Sequence, residues 1–507
     1  MADTKREIER KFEFSTPEAE RRGVPDLAGT AAIAAVRDEG TVELDAVYYD
    51  TPDQQLAADG LTLRRRTGGA DAGWHLKLPV SPGVREEITT PLGDSVPGSL
   101  AALVRSRVRG AELEPQVRLL SSRRVSHLLD AGGALLAELA TDTVRAERDG
   151  ATAAWTEVEV ELADGVDPAL LDAVEKRFRK AGLRVCDAPS KLARALAETG
   201  AAPPARPEAG SEDGTAGAYV LSYLREQRDA VIAQDPAVRR NLPDSVHQLR
   251  VATRRTRSAF KTYRKVLDRE VTDPIGEELR WLAGELGVDR DQEVLLERLR
   301  TRLGELPHTL LLGPVRNRLR VWNDTRRSGS RGRALAVLDS DRYVRLLDSL
   351  DALLADPPLR KAASRPAESV LPKAVLRDYE RLADRVAAAL AIEPGGERDL
   401  ALHEARKAAK RSRYAAEAAV PALGKPAKRV VKAVKAVQTL LGDHQDSVVA
   451  REALHGLAVQ AAAAGESAFT WGVLYAREEA LADRHERELP DLWAEAYSPA
   501  LRAGLGG

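Results

Sequence analysis

The chain has 507 residues, and its 77 Lys and Arg residues almost balance its 78 Asp and Glu residues, for a formal net charge of -1. The single cysteine, Cys186, excludes an internal disulfide and a cysteine-based zinc site. The N-terminus carries charges where a signal peptide needs an apolar segment, and no apolar run approaches the roughly 18 residues of a membrane span. We therefore expect a cytoplasmic protein of about two to four domains, with no membrane partner.

The near-zero net charge conceals two halves of opposite sign. Residues 1–200 carry 27 basic and 34 acidic side chains, whereas residues 201–507 carry 50 and 44. The sign changes near residues 200–216, where Gly, Pro, Ala, Ser and acidic residues dominate, a composition typical of a flexible linker. We therefore predict a first domain over 1–199, a linker over 200–216 and a second domain over 217–507.

The first domain is predicted to be an antiparallel β structure with a few helices. Segments of alternating residues recur between turn-rich breaks such as 67–73, and this pattern is typical of strands in an antiparallel sheet or barrel. The predicted strands are 7–14, 42–50, 61–66, 73–80, 85–92, 134–148 and 156–162, and the predicted helices lie near 26–36, 97–109 and 168–181.

Charged residues share one face of these strands, because residues i and i+2 of a strand point the same way. A solvated outer face explains any one strand, but the acids concentrate on the first and late strands and the bases on the middle ones. A barrel closed around them would hold carboxylates for a cation such as Mg²⁺ and Lys or Arg for phosphate oxygens. The shared faces carry Glu7, Glu9 and Lys11; Arg64 and Arg66; His75 and Lys77; Arg85 and Glu87; and Glu157, Glu159 and Glu161.

These motifs resemble, in the same order, those of the CYTH family, also called triphosphate tunnel metalloenzymes. The matching pieces, over roughly the first 200 residues, are E-x-E-x-K at 7–11, YYDT at 48–51, LRRR at 63–66, HLK at 75–77, R-x-E at 85–87, EVEVEL at 157–162 and SK at 190–191. The resemblance implies an antiparallel β-barrel tunnel that binds triphosphates with Mg²⁺ or Mn²⁺.

The resemblance also implies roles for residues at matching positions. The metal-ligand candidates are Glu7, Glu9, Asp142, Glu157, Glu159 and Glu161. The phosphate-binding candidates are Lys11, Arg64, Arg66, Lys77, Arg85, Arg123 and Lys191, and Glu7, Glu9 and Lys11 are the candidates for catalysis. Three choices stay open: which late glutamates hold metal, whether Arg124 replaces Arg123, and whether Glu138 replaces Asp142.

The second domain is predicted to be all-α and internally duplicated. The segment VHQLRVATRRTR (246–257) resembles LHEARKAAKRSR (402–413), and LGVDRDQEVLLERL (286–299) resembles LGDHQDSVVAREAL (441–454). The two matches have nearly the same offset, which indicates a duplication. We therefore expect two related helical bundles, over about 217–350 and 370–507.

A basic stripe recurs in both repeats at helical spacing. Residues 246–265 contain seven Lys or Arg and no acid, and we expect neither stripe to have acidic partners one helical turn away. The pattern H-x-x-R-x-x-x-R-R at 247–255, its variant at 403–411 and the LG-x-x-x-D segments resemble the CHAD domain, which implies inorganic polyphosphate binding in a basic groove between the bundles. The candidates are His247, Arg250, Arg254, Arg255, Arg257, Lys261, His403, Arg406, Lys407, Lys410, Arg411 and Arg413.

The combined expectation is a divalent-metal-dependent triphosphatase that acts on inorganic triphosphate, with long-chain inorganic polyphosphate bound by the second domain and an association with polyphosphate granules. One alternative is a non-catalytic polyphosphate-binding or targeting protein. Another is a CYTH enzyme acting on thiamine triphosphate or cyclising ATP. Aromatic residues near the tunnel motifs are few, mainly Trp74, Tyr48 and Tyr49, which favours an inorganic substrate. Nucleic acid is a less expected partner, because stacking aromatics are also sparse on the basic helices.

Overall fold

The computed structural model describes residues 3–201, 214–327 and 330–505. The chain forms two compact units, Met1–Arg206 and Pro207–Gly507. Most of the predicted linker, residues 202–213, lies outside the described residues. Within the described part of the chain, no helix combines the length and the apolar character needed to cross a lipid bilayer.

The first unit contains nine strands and five helices among its described residues. The strands are β1 (Asp3–Phe14), β2 (Ala35–Asp50), β3 (Thr62–Thr67), β4 (Gly73–Ser81), β5 (Val84–Thr90), β6 (Glu114–Leu129), β7 (Leu135–Arg148), β8 (Ala151–Leu162) and β9 (Leu183–Val185). The helices are α1 (Pro17–Arg22), α2 (Gln55–Ala58), α3 (Gly98–Val108), α4 (Ala169–Ala181) and α5 (Lys191–Glu198).

Eight of these strands close into an antiparallel ring. The order is β1-β5-β4-β3-β2-β6-β7-β8, and β8 pairs again with β1. In the closing ladders Glu7 lies opposite Arg85 and Lys11 lies opposite Glu159. The predicted antiparallel β-barrel with flanking helices is therefore confirmed.

The ring places charged side chains inside and apolar side chains outside. On β1, Phe12 points outward and meets Phe178 of α4 edge to face, with ring centroids 4.8 Å apart. On the opposite side, Trp74 and Leu76 of β4 are fully buried against α3. The apolar cores of this unit therefore lie between the barrel wall and its outer helices.

Helix α5 closes one end of the barrel. Its Leu192 and Leu196 pack on inward-facing apolar side chains of β2, β6, β7 and β8, among them Trp155. The Ser190 hydroxyl accepts a hydrogen bond from the backbone N–H of Ala193 at 3.0 Å and so caps the helix, which makes Lys191 its first residue. One end of the interior is thus filled, and the charged side chains line the rest.

Several elements of the first unit differ from the sequence predictions. The helix expected near 26–36 is wrong, because that segment forms turns and the start of β2. Its two buried apolar residues, Leu27 and Ile33, are six positions apart and could not share one helical face. Strand β6 and helix α5 were not predicted, because β6 lacks a regular alternation and α5 has only eight residues.

The second unit is all-α over its described elements, as predicted. Its first part contains α6 (Ala216–Arg239), α7 (Ser245–Thr262), α8 (Arg269–Glu285), α9 (Gly287–Gly304), α10 (Val315–Arg327), α11 (Ser330–Leu338) and α12 (Asp341–Ala355). Its second part contains α13 (Ala367–Leu390), α14 (Gly396–Leu423), α15 (Lys425–Ala463), α16 (Phe469–Ala496) and α17 (Pro499–Ala503).

The two sequence repeats share their hydrophobic cores. The first basic segment lies on α7 and the second on α14, and one apolar cluster contains both Leu249 of α7 and Leu402 of α14. A second cluster joins α9 and α10 to α15 and α16, for example through Leu299 and Trp471. Helices of both repeats therefore contribute side chains to the same hydrophobic cores.

We expect Phe178→Ala to destabilise the first unit by about 3–5 kcal/mol, because it removes a fully buried ring that packs on Phe12. Urea unfolding of the full chain, followed by far-UV circular dichroism, measures this. Phe469→Ala is the matched control, since that ring is 48% exposed and should change stability by less than about 0.5 kcal/mol. Equal shifts in the two variants would contradict the assignment of this core.

Candidate functional site

The barrel encloses a cavity of about 310 Å³, whose lining is almost entirely polar. Equal numbers of acidic and basic side chains line it, so its formal charges cancel. The bases are Lys5, Lys11, Arg64, Arg66, Lys77, Arg85, Arg123 and Lys191, and the acids are Asp3, Glu7, Glu9, Asp71, Glu87, Glu138, Glu159 and Glu161.

The structure brings the tunnel residues predicted from the sequence to this cavity or just beneath it. All seven phosphate-binding candidates line it, and so do Glu7, Glu9, Glu159 and Glu161. Asp142 and Glu157 lie beneath the lining and are 0% and 2% exposed. Arg123 faces the interior, whereas Arg124 is exposed and pairs with Asp38 at 2.9 Å. The roles of these residues stay predictions.

Three of the predicted metal ligands converge on one point. Asp142, Glu157 and Glu159 are buried, and one oxygen atom from each lies within 4.8 Å of the others; we call these residues the carboxylate triad. They come together because β7 and β8 pair in a register that sets Asp142 opposite Glu157. Carboxylate oxygens are the hard donors that Mg²⁺ and Mn²⁺ prefer, so the triad suits such a cation.

Cations of the protein itself contact the triad, among them Arg123 and Lys191. Arg123 donates to Asp142 through Nε at 2.7 Å and Nη2 at 2.8 Å, and to Glu159 Oε2 at 2.8 Å. The ammonium of Lys191 lies 2.9 Å from Asp142, 2.7 Å from Glu157 and 2.5 Å from Glu159. Burial acts to raise the pKa of Asp142, but Lys191 and Arg123 outweigh it and hold that pKa below its usual value.

The E-x-E-x-K strand links the triad to the other wall. Lys11 lies 2.8 Å from Glu159 and 3.3 Å from Glu9, whereas Glu7 faces Lys77 at 2.6 Å. Burial raises the pKa of Glu7 to about 7 even though Lys77 opposes the shift. The third late glutamate, Glu161, pairs with Lys5 instead of joining the triad. Glu7 and Glu9, two residues apart on β1, therefore have different basic partners.

The opposite wall gathers bases around one carboxylate. Glu87 lies 2.9 Å from Nδ1 of His75 and 3.6 Å from both Lys77 and Arg64. Burial acts against ionisation of Glu87, but His75 and Lys77 prevail and hold its pKa well below the usual value. Burial, reinforced by Arg64, lowers the pKa of Arg66 to about 9, so positive charge is crowded on this wall.

Several lining residues were absent from the predicted substrate and metal ligands. Among them are Lys5, Tyr48 and His75. Tyr48 accepts a hydrogen bond from Nη1 of Arg64 at 3.3 Å. The alternation of side chains along a strand could have identified Lys5 and His75. Lys5 is two residues from Glu7 and His75 is two residues from Lys77, so each shares a strand face with a predicted site residue.

In the second unit, the two repeats bring matching arginines into matching pairs. Arg250 of α7 donates to Asp291 at 2.9 Å and to the carbonyl oxygen of Gly287 at 3.2 Å. Arg406 of α14 lies 3.8 Å from Asp446 and also packs over a glycine, Gly442. The LG-x-x-x-D segments thus hold one arginine in each repeat.

Positive charge accumulates where α7 meets α14, and the acids beside it offset it only in part. Burial, together with Arg406 and Arg254, lowers the pKa of Lys410 to about 7. Burial and neighbouring arginines also lower the pKa of Arg257 and of Lys261. We call Arg250, Arg254, Arg406 and Lys410 the cationic cluster. Bases that repel one another in this way mark a surface suited to an anion.

Other predicted polyphosphate ligands are held by acids. Glu417 pairs with Arg255 at 3.0 Å and, one turn away, with Arg413 at 3.2 Å. Arg411 pairs with the buried Asp378 at 3.0 Å, and Lys407 pairs with Glu404. The expectation that both stripes lack acidic partners one turn away is therefore wrong for Arg413 and Lys407. Lys261 is exposed, and Nδ1 of His403 lies 2.7 Å from Oε1 of Gln445.

A second group of metal-type side chains, Asp399, His444 and Glu486, joins α14, α15 and α16. His444 lies 3.3 Å from both carboxylates. Asp399 is already paired with Arg451 at 2.8 Å, and Glu486 with Arg398 at 3.1 Å. Two arginines thus balance the two carboxylates, and the group is an interhelical ion network.

Comparison with known proteins places both units in families. The CYTH domain family matches residues 5–196 and the CHAD domain family matches residues 222–455. Two Mycobacterium tuberculosis proteins, MT2285 (strain CDC 1551 / Oshkosh) and Rv2226 (strain ATCC 25618 / H37Rv), are each 40% identical to this chain over 511 residues, which cover 95% of this chain and 94% of the relative.

Similar solved structures cover one unit or the other. PptA from Streptomyces chartreusis is 24% identical, with a TM-score of 0.46, over 55% of this chain and 99% of its own. The CHAD domain from the plant Ricinus communis is 26% identical, with a TM-score of 0.39, over 58% of this chain and 92% of its own. HpAC1 from Hippeastrum, described as having a dominant triphosphatase activity, is 20% identical, with a TM-score of 0.26, over 38% of this chain and 95% of its own.

The CYTH family is metal-dependent and contains triphosphatases and cyclases. The ordered motifs, the closed eight-stranded ring with a charged interior and the duplicated helical unit agree with both family matches. This chain therefore belongs to the CYTH–CHAD proteins, with a triphosphate-tunnel domain followed by a CHAD domain.

Proposed function

We propose that the first domain hydrolyses inorganic triphosphate, or a similarly short polyphosphate, with the help of Mg²⁺ or Mn²⁺. The observation that carries the proposal is the cavity, where Glu159 of the carboxylate triad faces the same space as a wall of Lys and Arg side chains, with Asp142 and Glu157 directly beneath the lining. Phosphate oxygens are neutralised and oriented by Lys and Arg, and divalent cations by carboxylates. The cavity offers both kinds of group to one ligand.

Charge balance supports the need for a metal ion. The acids and bases of the lining cancel, and nearly all of the bases already pair with acids. A triphosphate entering this enclosed space would bring several negative charges, and burying uncompensated charge is costly. Asp142, Glu157 and Glu159 would hold the cation, which when bound would supply positive charge to the phosphate oxygens and lower the pKa of a water molecule.

The side chains of the cavity have distinct tasks in this proposal. Arg64, Arg66 and Lys77 would bind and orient the phosphate groups, and their fixed charges would stabilise the charge that develops during transfer. Lys11 would bridge the phosphates and the acidic wall, since it already contacts Glu159. The plug formed by α5 would limit the access of bulk water from one end.

An inorganic substrate is favoured by the position of the aromatic residues. Trp74 is fully buried on the outer side of the barrel against α3, and Tyr49 packs beside it there. Tyr48 does line the cavity, but its hydroxyl faces Arg64. A base or a thiazole ring would therefore find little stacking surface among the described lining residues.

For the CHAD domain we propose the binding of long-chain inorganic polyphosphate on the cationic cluster. Its support is the convergence of like charges from both repeats at α7 and α14, which an extended polyanion would relieve. Arg254, Arg257, Lys261 and Lys410 are the best placed of the predicted ligands, because burial and neighbouring arginines lower their pKa values and an anion would offset that effect. Such binding would retain the enzyme beside polyphosphate, as at granules in the cytoplasm.

We expect Glu159→Gln to lower phosphate release from tripolyphosphate with Mg²⁺ or Mn²⁺ by at least about 100-fold. Glu159 contacts Lys11, Arg123 and Lys191, so the substitution disturbs the triad and the adjoining phosphate side together. Glu147→Gln is the matched control, because Glu147 also lies in the barrel wall but points outward to Arg145. Equal activity in the two variants would contradict the assignment of the active site.

A substrate panel separates the proposal from its alternatives. With Mg²⁺ and with Mn²⁺, we expect inorganic triphosphate to be hydrolysed with a kcat/KM at least about tenfold above those for ATP and thiamine triphosphate, because the cavity lacks a stacking surface. Release of pyrophosphate from ATP would indicate a cyclase. Absence of turnover of every compound, with polyphosphate still bound, would favour the non-catalytic binding protein.

Polyphosphate affinity should fall by about tenfold between pH 6 and pH 9 at constant ionic strength. The pKa of Lys410 is lowered to about 7 in the free protein, so its positive charge is present at pH 6 and lost as the pH rises through 7. A bound polyanion favours the ammonium form, so binding near pH 8 should take up a proton. Titration calorimetry in buffers of different ionisation enthalpy measures both effects.

The variant Lys410→Arg stays charged over this range and should flatten the pH dependence. Lys435→Arg, on the exposed face of α15, is the matched control and should leave it unchanged. If both variants keep the pH dependence of the unmodified protein, Lys410 is not part of the binding surface.

A further inference from the structure

One ammonium group occupies the point on which the carboxylate triad converges. Nζ of Lys191 contacts an oxygen of Asp142, Glu157 and Glu159 at 2.9, 2.7 and 2.5 Å. An ammonium is a compact positive charge with no acceptor, so its three contacts with these carboxylates are ion pairs. Burial acts to lower the pKa of Lys191, but Asp142 and Glu159 outweigh it and raise the pKa, so this group remains positively charged.

The same carboxylates could not hold a divalent cation and this ammonium together. A cation bound by all three residues would occupy the region in which Nζ lies, and two positive charges in contact in a buried site repel strongly. Arg123 shares Oδ2 of Asp142 with Lys191, but it approaches Glu159 through Oε2 whereas Lys191 contacts Oε1. Displacement of Lys191 would remove the cation that contacts all three carboxylates, while Arg123 stays on Asp142 and Glu159 and Lys11 stays on Glu159.

We propose that Lys191 and a divalent cation are alternative occupants of the carboxylate triad, and that binding of the cation releases the Lys191 ammonium to a phosphate group in the cavity. The exclusion between lysine and cation stands on the geometry, and the part concerning phosphate rests on the proposed function. Lys191 is thus a positioning residue that links occupancy of the metal site to substrate binding.

The fold allows this exchange without movement of helix α5. Leu192 and Leu196 hold the helix in the apolar plug, and Ser190 caps it, so the backbone at Lys191 is fixed. The lysine stem has four rotatable methylene groups, and both Lys191 and Ser190 line the cavity. A side-chain rotation therefore moves the ammonium from the triad into the space proposed for phosphate.

The test measures binding of Mn²⁺ alone to the full-length protein, with free Mn²⁺ followed by electron paramagnetic resonance. We expect Lys191→Met to bind Mn²⁺ about tenfold or more tightly than the unmodified protein, because the cation no longer displaces an ammonium from three carboxylates. Lys191→Arg keeps a positive charge at the triad and should bind no more tightly than the unmodified protein. Lys77→Met is the matched control, because Lys77 lines the same cavity but contacts Glu7 and Glu87.

Two further measurements test whether a gain in Mn²⁺ affinity arises at the carboxylate triad. Lys191→Met removes one of the cations that balance the buried carboxylates, so its melting temperature should fall without Mn²⁺ and rise with Mn²⁺ by more than that of the unmodified protein. Adding Glu157→Gln to Lys191→Met should remove the gain in affinity, which locates it at the triad. An unchanged Mn²⁺ affinity in Lys191→Met, or a gain of equal size in Lys77→Met, would overturn the proposal.

The binding experiment is independent of turnover. If Lys191→Met gains Mn²⁺ affinity but the unmodified protein hydrolyses no triphosphate, the exclusion holds and the proposed function fails. If triphosphate is hydrolysed but Lys191→Met shows no gain, the proposed function holds and this inference fails.

Discussion

The first domain depends on one constraint, which is that a closed ring of strands must bury every second side chain. In this chain the buried set is largely charged, so the interior is stable only where acids and bases neutralise one another at short range. The pairing of Lys11, Arg123 and Lys191 with the carboxylates of β1, β7 and β8 meets that requirement. The apolar side chains of the strands therefore pack outside the ring, against α3 and α4. At one end they pack inside it, where α5 fills the ring.

The bases at the carboxylate triad and those of the cationic cluster have opposite pKa shifts. In the barrel, acids outweigh burial and raise the pKa of Lys11 and Lys191, whereas in the helical domain burial and like charges lower the pKa of Arg254 and Lys410. A balanced interior accepts an anion only with an added cation, whereas an unbalanced surface accepts one directly. The metal requirement proposed for the first domain and the polyanion surface proposed for the second follow from this difference.

Most of the barrel was predictable, because the alternation that identifies its strands also selects the residues that face inward. The convergence of the triad was not, since Glu157, Glu159 and Glu161 share one sequence period. Only the register of β7 on β8 separates them, and it leaves Glu161 with Lys5. The role of α5 was equally hidden, because a helix of eight residues shows little pattern before it is docked. In the helical domain the internal duplication was predictable from the sequence. The acids that pair with Arg255 and Arg411 were not, because Glu417 and Asp378 are distant from them in the sequence.

Arg123 and Lys191, which contact the triad together with Lys11, differ in a way that suits different tasks. The guanidinium of Arg123 forms a rigid fork on Asp142 and reaches Glu159 as well, so its removal would break several fixed bonds at once. The ammonium of Lys191 is a point charge on a flexible stem, and it can leave without disturbing the backbone. If both were arginines, the triad would be permanently filled; if both were absent, three buried carboxylates would repel one another in the empty site. One fixed and one exchangeable cation keep the barrel stable without metal and leave the triad open to it.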